Sequence, residues 1–235
     1  MRVSVIIPTH NEAQAIARVL ADLPSDLITE VIVVDSNSDD GTPEIAASMG
    51  ARVIKEPRRG YGRACLTGLA TANSPDIVVF LDGDYSDRPS ELPILIGPII
   101  QGHADITLGS RFGEQRIPAA LPWHQALGNR VAAGLIRLLY GLKITDLGPF
   151  RAGRADRLRA LALEETTYGW AVEMILKGAV SGYRVVEVPV TYYPRIGKSK
   201  ISGTLKGTVG AAWFILSLLV RYYFRPRKTG ISQSA

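Results

Sequence analysis

Short runs of apolar residues, most of them β-branched or aliphatic, recur along the first half of the chain and alternate with polar turns. They occupy positions 2–8, 30–35, 51–55, 77–81 and 105–109. Between the earlier runs, apolar residues recur at helical spacing. Uninterrupted apolar runs are typical of strands buried on both faces, and their alternation with helices predicts a mostly parallel sheet. We therefore expect an α/β, Rossmann-like fold with helices on both faces of the sheet.

The second half of the chain is less regular. Further helices are expected at 91–101, 123–140 and around Trp170, and a last strand at 184–190. The longest of these helices carries apolar residues at helical spacing: Leu127, Val131, Leu135, Leu138 and Leu139. Residues 146–151 predict a loop with a fixed bend at Pro149. Pro189 places the last strand near an edge of the sheet, because proline cannot donate a ladder hydrogen bond.

The C-terminal segment has a different pattern. Residues 207–220 carry no charge, but they are too few to span a bilayer, which takes about 20 residues. Lys206 precedes them and the basic and aromatic residues 221–228 follow, as in helices that lie among lipid headgroups. We expect residues 1–202 to form the main domain and residues 203–235 an amphipathic helix and basic tail at a membrane surface. A helix packed on the sheet and an oligomer interface are the alternatives.

Composition narrows the class of protein. The 235 residues are 46% hydrophobic and 21% charged, which excludes a disordered polyelectrolyte. The formal net charge of +5 is concentrated near the C-terminus, which favours a phosphate-bearing or membrane-surface partner over nucleic acid. The single cysteine, Cys65, excludes an intramolecular disulfide and indicates a reducing compartment. No charged and apolar leader precedes the first strand, so we expect a cytoplasmic protein.

Two acids follow the apolar run at 77–81. Asp82 and Asp84 flank Gly83, which allows a close turn at the end of a buried strand. Ligands of open α/β sheets bind at the carboxyl ends of the strands. Two carboxylates there can share Mg²⁺ or Mn²⁺, which in turn favours a phosphate-bearing ligand. A polar turn without a ligand is the alternative for these two acids alone.

Other loops share the same expected rim of the sheet. They comprise residues 8–12, residues 35–40 and the basic, glycine-rich loop 60–63. Together with Asp82 and Asp84 they supply acids for a metal or a ribose and arginines for phosphate. This convergence favours a metal and diphosphate site.

The order of these motifs resembles that of the family 2 glycosyltransferases, which have a GT-A fold. The resemblance rests on residues 5–12, on Asp35 with Asp40-Gly41-Thr42, and on Asp82-Gly83-Asp84 followed by Pro89 and Glu91. Later motifs are similar to the polyprenyl-phosphate branch, the dolichyl-phosphate mannose synthase-like enzymes. They are Gly109-Ser110-Arg111-Phe112, the loop 146–151, residues 187–190, and Arg195, Gly197, Ser199 and Lys200. The match extends from residue 3 to about residue 202.

The resemblance implies a role for each matching residue. The donor would bind to Pro8, Glu12, Asp35, Arg63, Asp82 and Asp84. The metal ligands would be Asp84, as the principal one, and Asp82. The acceptor phosphate would bind Arg111, Arg195, Ser199 and Lys200, with Arg111 also taking part in catalysis. The sequence departs from the family pattern at Ser36, where a second acid is usual, and at Pro149, which interrupts the usual glycine-phenylalanine-arginine.

The implied activity is metal-dependent, inverting transfer of a hexose from a GDP- or UDP-linked donor to a polyprenyl phosphate at the cytoplasmic membrane face. A lipid monophosphate is already an anion at neutral pH, because its second pKa is about 6, and so needs no general base. If the acceptor were a hydroxyl of a soluble compound or glycan, Glu173 is a possible base, although a helix-surface glutamate without catalytic duty is the simpler interpretation. A sugar-phosphate nucleotidyltransferase and an inactive nucleotide-sugar binding module remain as alternatives.

Overall fold

The computed structural model describes residues 1–112, 123–167, 169–197, 217–218 and 221–222. The strands are β1 (Val3–Thr9), β2 (Glu30–Asp35), β3 (Arg52–Lys55), β4 (Ile77–Phe80), β5 (Ile106–Ser110), β6 (Arg151–Arg154) and β7 (Val185–Pro189). The helices are α1 (Ile16–Ala21), α2 (Thr42–Ser48), α3 (Tyr61–Thr71), α4 (Leu92–Ile100), α5 (Trp123–Tyr140), α6 (Ala155–Ala160) and α7 (Trp170–Val180). A short 3-10 helix, Pro89–Glu91, leads into α4.

The strands form one sheet in the order β3-β2-β1-β4-β6-β5-β7. Strands β1 to β4 pair in parallel, and β5 pairs in parallel with β7. Only β6 runs against its neighbours, β4 and β5. The predicted mostly parallel sheet is therefore confirmed, and β7 lies at its edge as Pro189 indicated.

Helices cover both faces of the sheet because successive strand residues point to opposite sides. Ile6, Val78 and Phe80 face the layer that contains α3, α5, α6 and α7. Ile7 and Val79 face the other layer, made of α1, α2 and α4. Each strand of the central sheet thus buries apolar side chains on both faces, which is why these runs lack alternation in the sequence.

Strand β6 and helix α6 were not predicted from the sequence. Arg151, Ala152, Gly153 and Arg154 include no β-branched or aromatic residue, so propensity gives no indication of a strand. They become a strand because they fill the gap between β4 and β5 and pair with both. At Gly153 an added Cβ would lie 2.9 Å from Leu158 Cγ, so the strand and α6 pack closely there.

Helix α5 has the predicted bounds, and its apolar residues divide between two sides. Leu127, Val131 and Leu138 are exposed by 55%, 55% and 77%. Leu135 and Leu139 are partly buried and pack against the core, on the side of the buried Ala126, Ala132, Ala133 and Ile136. Among the residues described, no helix is long and apolar enough to cross a bilayer.

Four residues of the C-terminal segment are described. Leu218 and Tyr222 are buried in the core layer of α3, α5 and α7, whereas Ser217 and Arg221 are exposed. This part of the segment therefore packs on the domain by one side. The rest of the expected membrane-surface helix lies outside the described residues, and its membrane contact stays a prediction.

Candidate active site

The carboxyl ends of β1, β2 and β4 bring the predicted acids to one rim of the sheet. Asp35 ends β2 and is paired in register with Thr9, the last residue of β1. Asp82 and Asp84 follow β4 directly. Between them, an added Cβ at Gly83 would lie 2.9 Å from Thr9 Cγ2 and 3.6 Å from Glu12 Cγ. The glycine therefore lets the acidic turn pass close against the end of β1.

A segment after β7, residues 191–197, crosses this rim, and we call it the strap. Its backbone runs antiparallel to residues 84–87, with a β-bridge between Asp87 and Tyr192. The Tyr193 N–H donates to the Ser86 carbonyl at 2.8 Å, and the Ile196 N–H donates to the Asp84 carbonyl at 2.9 Å. The strap is thereby fixed to the acidic turn through its backbone.

Arg195 of the strap bridges two of the predicted donor-site acids. Its Nη2 lies 2.9 Å from Glu12 Oε1, and its Nη1 lies 3.5 Å from Asp84 Oδ2. The other carboxylate oxygen of Asp84 accepts hydrogen bonds from the backbone and the hydroxyl of Ser86, at 2.9 and 2.5 Å. The structure thus joins residues predicted for the donor with a residue predicted for the acceptor. Ser199 and Lys200 lie outside the described residues.

Arg111 forms a buried ion pair with Asp146. The Arg111 Nε lies 2.7 Å from Asp146 Oδ2, and Nη2 lies 2.8 Å from Oδ1, a bidentate geometry. Burial lowers the pKa of Arg111, but its bonds to Asp146 outweigh burial and raise the pKa overall. Asp146 is held in turn, because its N–H donates to Glu187 Oε1 at 2.7 Å. Part of the Arg111 charge is therefore already neutralised within the protein.

Three acids of the turn share a poorly solvated environment. Burial, and then the charge of Asp84, raises the pKa of Asp82 to about 7. Burial, and then the charges of Asp82 and Asp84, raises the pKa of Asp87 well above its usual range. Among the described residues, neither Asp87 oxygen nor Asp82 Oδ1 accepts a hydrogen bond. Burying carboxylate oxygens without hydrogen-bond partners costs free energy. These oxygens therefore make the turn a candidate site for a ligand outside the described chain.

The acidic turn fits a hard divalent cation. Mg²⁺ is usually held by one or two carboxylates, together with waters and substrate phosphates. Asp84 and Asp82, with its unpartnered Oδ1, supply that number of carboxylates. No group of three His, Cys, Asp or Glu side chains suited to a metal occurs in the described part of the chain. A cation here would therefore need oxygens from a phosphate-bearing substrate.

Asp35 and Pro8, predicted to contact the nucleoside, lie at the neighbouring ends of β2 and β1. Asp35 Oδ1 accepts from the Thr9 hydroxyl at 3.3 Å and from the Ser38 hydroxyl, and Oδ2 accepts from the Ser38 N–H at 3.0 Å. Pro8 is paired with Val34 in β1. The carboxylate of Asp35 thus orders its own turn, and only its remaining lone pairs are available to a donor.

Residues 60–63, predicted as a glycine-rich loop, are largely the first turn of α3, which begins at Tyr61, and they serve packing. The Gly62 N–H donates to the Thr167 carbonyl at 3.1 Å, and the Arg63 N–H donates to the Thr166 carbonyl at 3.0 Å. An added Cβ at Gly62 would lie 2.4 Å from the Glu165 carbonyl oxygen. These N–H groups at the start of α3 are therefore not available to a phosphate. The predicted donor role of Arg63 depends on its side chain, whose buried Nε has no hydrogen-bond partner among the described residues.

Comparison with known proteins identifies the family. Residues 4–161 match the model of glycosyl transferase family 2. The chain belongs to this family. The resemblance drawn from the sequence motifs is thereby confirmed, and the chain is a glycosyltransferase.

Relatives of this family 2 enzyme include polyprenyl-phosphate sugar transferases. The undecaprenyl-phosphate mannosyltransferase of Micrococcus luteus is 35% identical over 88% of this chain and 90% of its own. The dolichyl-phosphate hexose transferase of Haloferax volcanii is 36% identical over 84% of this chain and 86% of its own. Among solved structures, glucosyl-3-phosphoglycerate synthase from Mycobacterium tuberculosis, in complex with Mn²⁺, UDP and phosphoglyceric acid, superposes with a TM-score of 0.74 at 24% identity. The superposition covers 97% of this chain and 80% of that one and confirms the GT-A fold.

Glu173 of the family 2 enzyme lies in a saturated hydrogen-bond site. The side chain is buried in the first turn of α7, so its interpretation as a helix-surface residue is wrong. It accepts from the N–H groups of Glu164 and Glu165, from the Tyr222 hydroxyl at 2.8 Å, and from Lys177 Nζ at 2.8 Å. Burial raises its pKa, but these bonds outweigh burial and lower it overall. The contacts favour a structural tie to the C-terminal segment, and a role as base stays a prediction without support from this geometry.

Two residues of the glycosyltransferase site were missed from the sequence. Asp146 was predicted only as part of a loop, because its partner Arg111 lies 35 positions away in the sequence. Asp87 follows Asp84 by three positions and resembles an ordinary turn acid. Its burial depends on the strap, which comes about a hundred residues later in the chain. Neither contact leaves a local pattern in the sequence.

Proposed function

We propose that this family 2 enzyme transfers a hexose from a nucleotide sugar to a polyprenyl phosphate at the cytoplasmic face of a membrane, with Mg²⁺ or Mn²⁺ as cofactor. The observation that carries the proposal is the position of Arg195. Its guanidinium contacts both Glu12 and Asp84, so a residue proposed to bind the acceptor phosphate lies against two acids proposed to bind the donor. The two lipid-phosphate relatives support the acceptor class.

The acids after β4 define the donor end of the site. Asp84 and Asp82 would hold the divalent cation, which when bound neutralises charge on the departing nucleoside diphosphate. Glu12 and Asp35, on the neighbouring strand ends, supply acceptors for hydroxyl and amino groups of the nucleoside. Gly83 brings this turn against β1, so the groups that hold the two ends of the donor lie within one rim.

The acceptor end relies on charge and placement. The phosphate oxygen attacks the anomeric carbon while the bond from that carbon to the diphosphate oxygen breaks, which inverts the configuration. Because the phosphate is already an anion, no residue has to remove a proton. Arg195 can leave Asp84 for a phosphate oxygen, since the 3.5 Å contact is the longer of its two. Arg111, held by Asp146, offers its remaining N–H groups in a fixed orientation.

Product analysis tests the acceptor. The enzyme is incubated with radiolabelled GDP- or UDP-hexoses, undecaprenyl phosphate, and Mg²⁺ or Mn²⁺, and label is measured in the organic extract before and after mild acid. We expect an extractable, acid-labile product. Label that enters only water-soluble compounds would show a soluble or glycan acceptor and contradict the lipid assignment.

Asp84→Asn supplies the control for the donor end. Losing a carboxylate that would hold the cation should lower kcat/KM by roughly 10²–10³-fold. Asp156→Asn, at an exposed acid of α6, should leave turnover unchanged and serves as the matched variant. Full activity of Asp84→Asn at low metal concentration would remove Asp84 from its proposed role.

A further inference from the structure

Helix α5 carries two opposite apolar faces. Its inner face includes Ala126, Ala132, Ala133 and Ile136, which are at most 5% exposed, together with the partly buried Leu135 and Leu139. On the outer face lie Trp123, Leu127, Val131 and Leu138, with exposures of 77%, 55%, 55% and 77%. We call these four residues the α5 stripe. A helix on the surface of a soluble domain normally places polar residues outward, so an exposed apolar stripe of this kind is a candidate interaction surface.

The stripe is continuous along the helix. At 3.6 residues per turn its four residues fall within a sector of about 80°, and they span roughly 22 Å along the axis. Exposed Arg130 and Arg137 fall about 20–40° beyond one border of that sector. The outer face is thus an apolar band with a cationic margin and an exposed tryptophan at its N-terminal end.

We propose that the α5 stripe lies on an anionic lipid surface. A tryptophan and leucines flanked by arginines are typical of helices that insert one face to the depth of the headgroups. Each arginine near an anionic surface strengthens binding about five-fold. A second copy of the chain would bury the apolar residues equally well, but a two-fold axis that packs the two helices antiparallel would place both arginine margins on the same side of the contact.

The location of α5 places the proposed lipid contact near the acceptor side of the site. The chain enters the region of α5 after β5 and Arg111, so the helix follows the acceptor-side strand end. Phe112 links the two, because Arg130 lies over its ring with the guanidinium carbon 4.8 Å from the centroid. A lipid surface against the stripe would present its headgroups beside the acceptor side of the site. The inference rests on the proposed function only for this purpose, since binding is measured without substrate.

Vesicle sedimentation tests the proposal with the full-length protein. Vesicles of phosphatidylcholine with and without phosphatidylglycerol are mixed with the wild type, with Leu127→Gln/Leu138→Gln, and with the control Ile94→Gln/Ile100→Gln. The control residues are similarly exposed, by 49% and 51%, but lie on α4. The α5 variant should bind anionic vesicles at least about tenfold more weakly, and the control should bind like the wild type. Arg130→Gln/Arg137→Gln should weaken binding only to the anionic vesicles.

Trp123 supplies a second readout that does not depend on affinity. Brominated lipids quench a tryptophan that inserts among them, so quenching of the wild type should exceed that of Trp123→Phe at saturating vesicles. Equal vesicle binding by the α5 variant and the wild type would overturn the proposal. So would light scattering that shows a wild-type dimer and a monomeric α5 variant with unchanged lipid binding. A failed lipid-product assay with intact stripe-dependent binding would instead count against the proposed acceptor alone.

Discussion

Arg195 contacts one carboxylate oxygen of Asp84, and Ser86 donates to the other. Its guanidinium is 3.5 Å from Asp84 Oδ2, so a divalent cation has to displace it or share that oxygen. Arg195→Ala should therefore bind Mn²⁺ more tightly in the absence of donor, by a few-fold, because an electrostatic competitor is gone.

Calorimetric titration with Mn²⁺ measures this effect. The same variant should lose kcat/KM, since the strap no longer brings a cation to the acceptor phosphate, and Arg195→Lys should recover only part of it because an ammonium lacks the planar fork. Arg154→Ala, in an exposed ion pair, is the matched control. Unchanged or weaker Mn²⁺ affinity in Arg195→Ala would contradict the competition.

Asp87 lowers the stability of the domain at neutral pH. Its pKa is raised in the folded protein above the unfolded value of about 4, so the folded state holds a proton that the unfolded state releases. Stability must then fall as pH rises from about 4 through the folded pKa. Asp82 has the same sign, with its window between about 4 and about 7.

Asp87→Asn removes the Asp87 part of this pH dependence. In metal-free protein the variant should be more stable than the wild type at pH 8, by roughly 1–2 kcal/mol, and the difference should shrink at pH 4. Urea unfolding at the two pH values measures it. A variant that is less stable at pH 8 would mean that the Asp87 carboxylate has a structural partner in the folded chain.

At the scale of elements, the junction between α3 and the loop 165–167 depends on Gly62. An added Cβ would lie 2.4 Å from the Glu165 carbonyl oxygen and 2.6 Å from Trp170 Cβ. Gly62→Ala should therefore destabilise the protein by about 1–3 kcal/mol through overpacking. Gly128→Ala, inside α5 with no neighbouring atom within 4 Å of the added Cβ, should instead stabilise it by up to about 1 kcal/mol.

Thermal or urea unfolding of these two glycine variants gives opposite signs if the packing is as described. Two shifts in the same direction would show that helix propensity, and not contact with the loop, decides the outcome. The comparison separates a glycine kept for space from one without a steric requirement.

Sequence patterns predicted the elements whose environment is local. Strands such as β4 and helices such as α5 follow from apolar periodicity, because burial on a sheet face or helix side leaves that period in the chain. Strand β6 does not follow, since pairing with β4 and β5 makes it a strand despite its composition. Which side of α5 packs inward was also hidden. Leu135, Ile136 and Leu139 pack inward while Leu127, Val131 and Leu138 face out, and apolar spacing alone does not distinguish the two groups.

For the molecule as a whole, the rim of acids was predictable and its connections were not. Asp82 and Asp84 follow a buried run, and the rule for parallel sheets places them at the ligand-binding edge. The pairs Arg195–Glu12 and Arg111–Asp146 join residues 183 and 35 positions apart, and no spacing in the chain encodes them. The proposed membrane contact likewise depends on the assembled surface, since the α5 stripe is recognisable only once the inner face is known.

The single antiparallel strand has a consequence for how such enzymes diverge. Among the described strands, only β6 pairs with both β4 and β5, so it forms a seam between the strands that carry the acidic turn and those that lead to Arg111 and the strap. Changes beyond the seam can reshape the acceptor region while leaving the pairing of β1 to β4 intact. The residues proposed to bind the acceptor can therefore change during evolution while those proposed to bind the donor are retained.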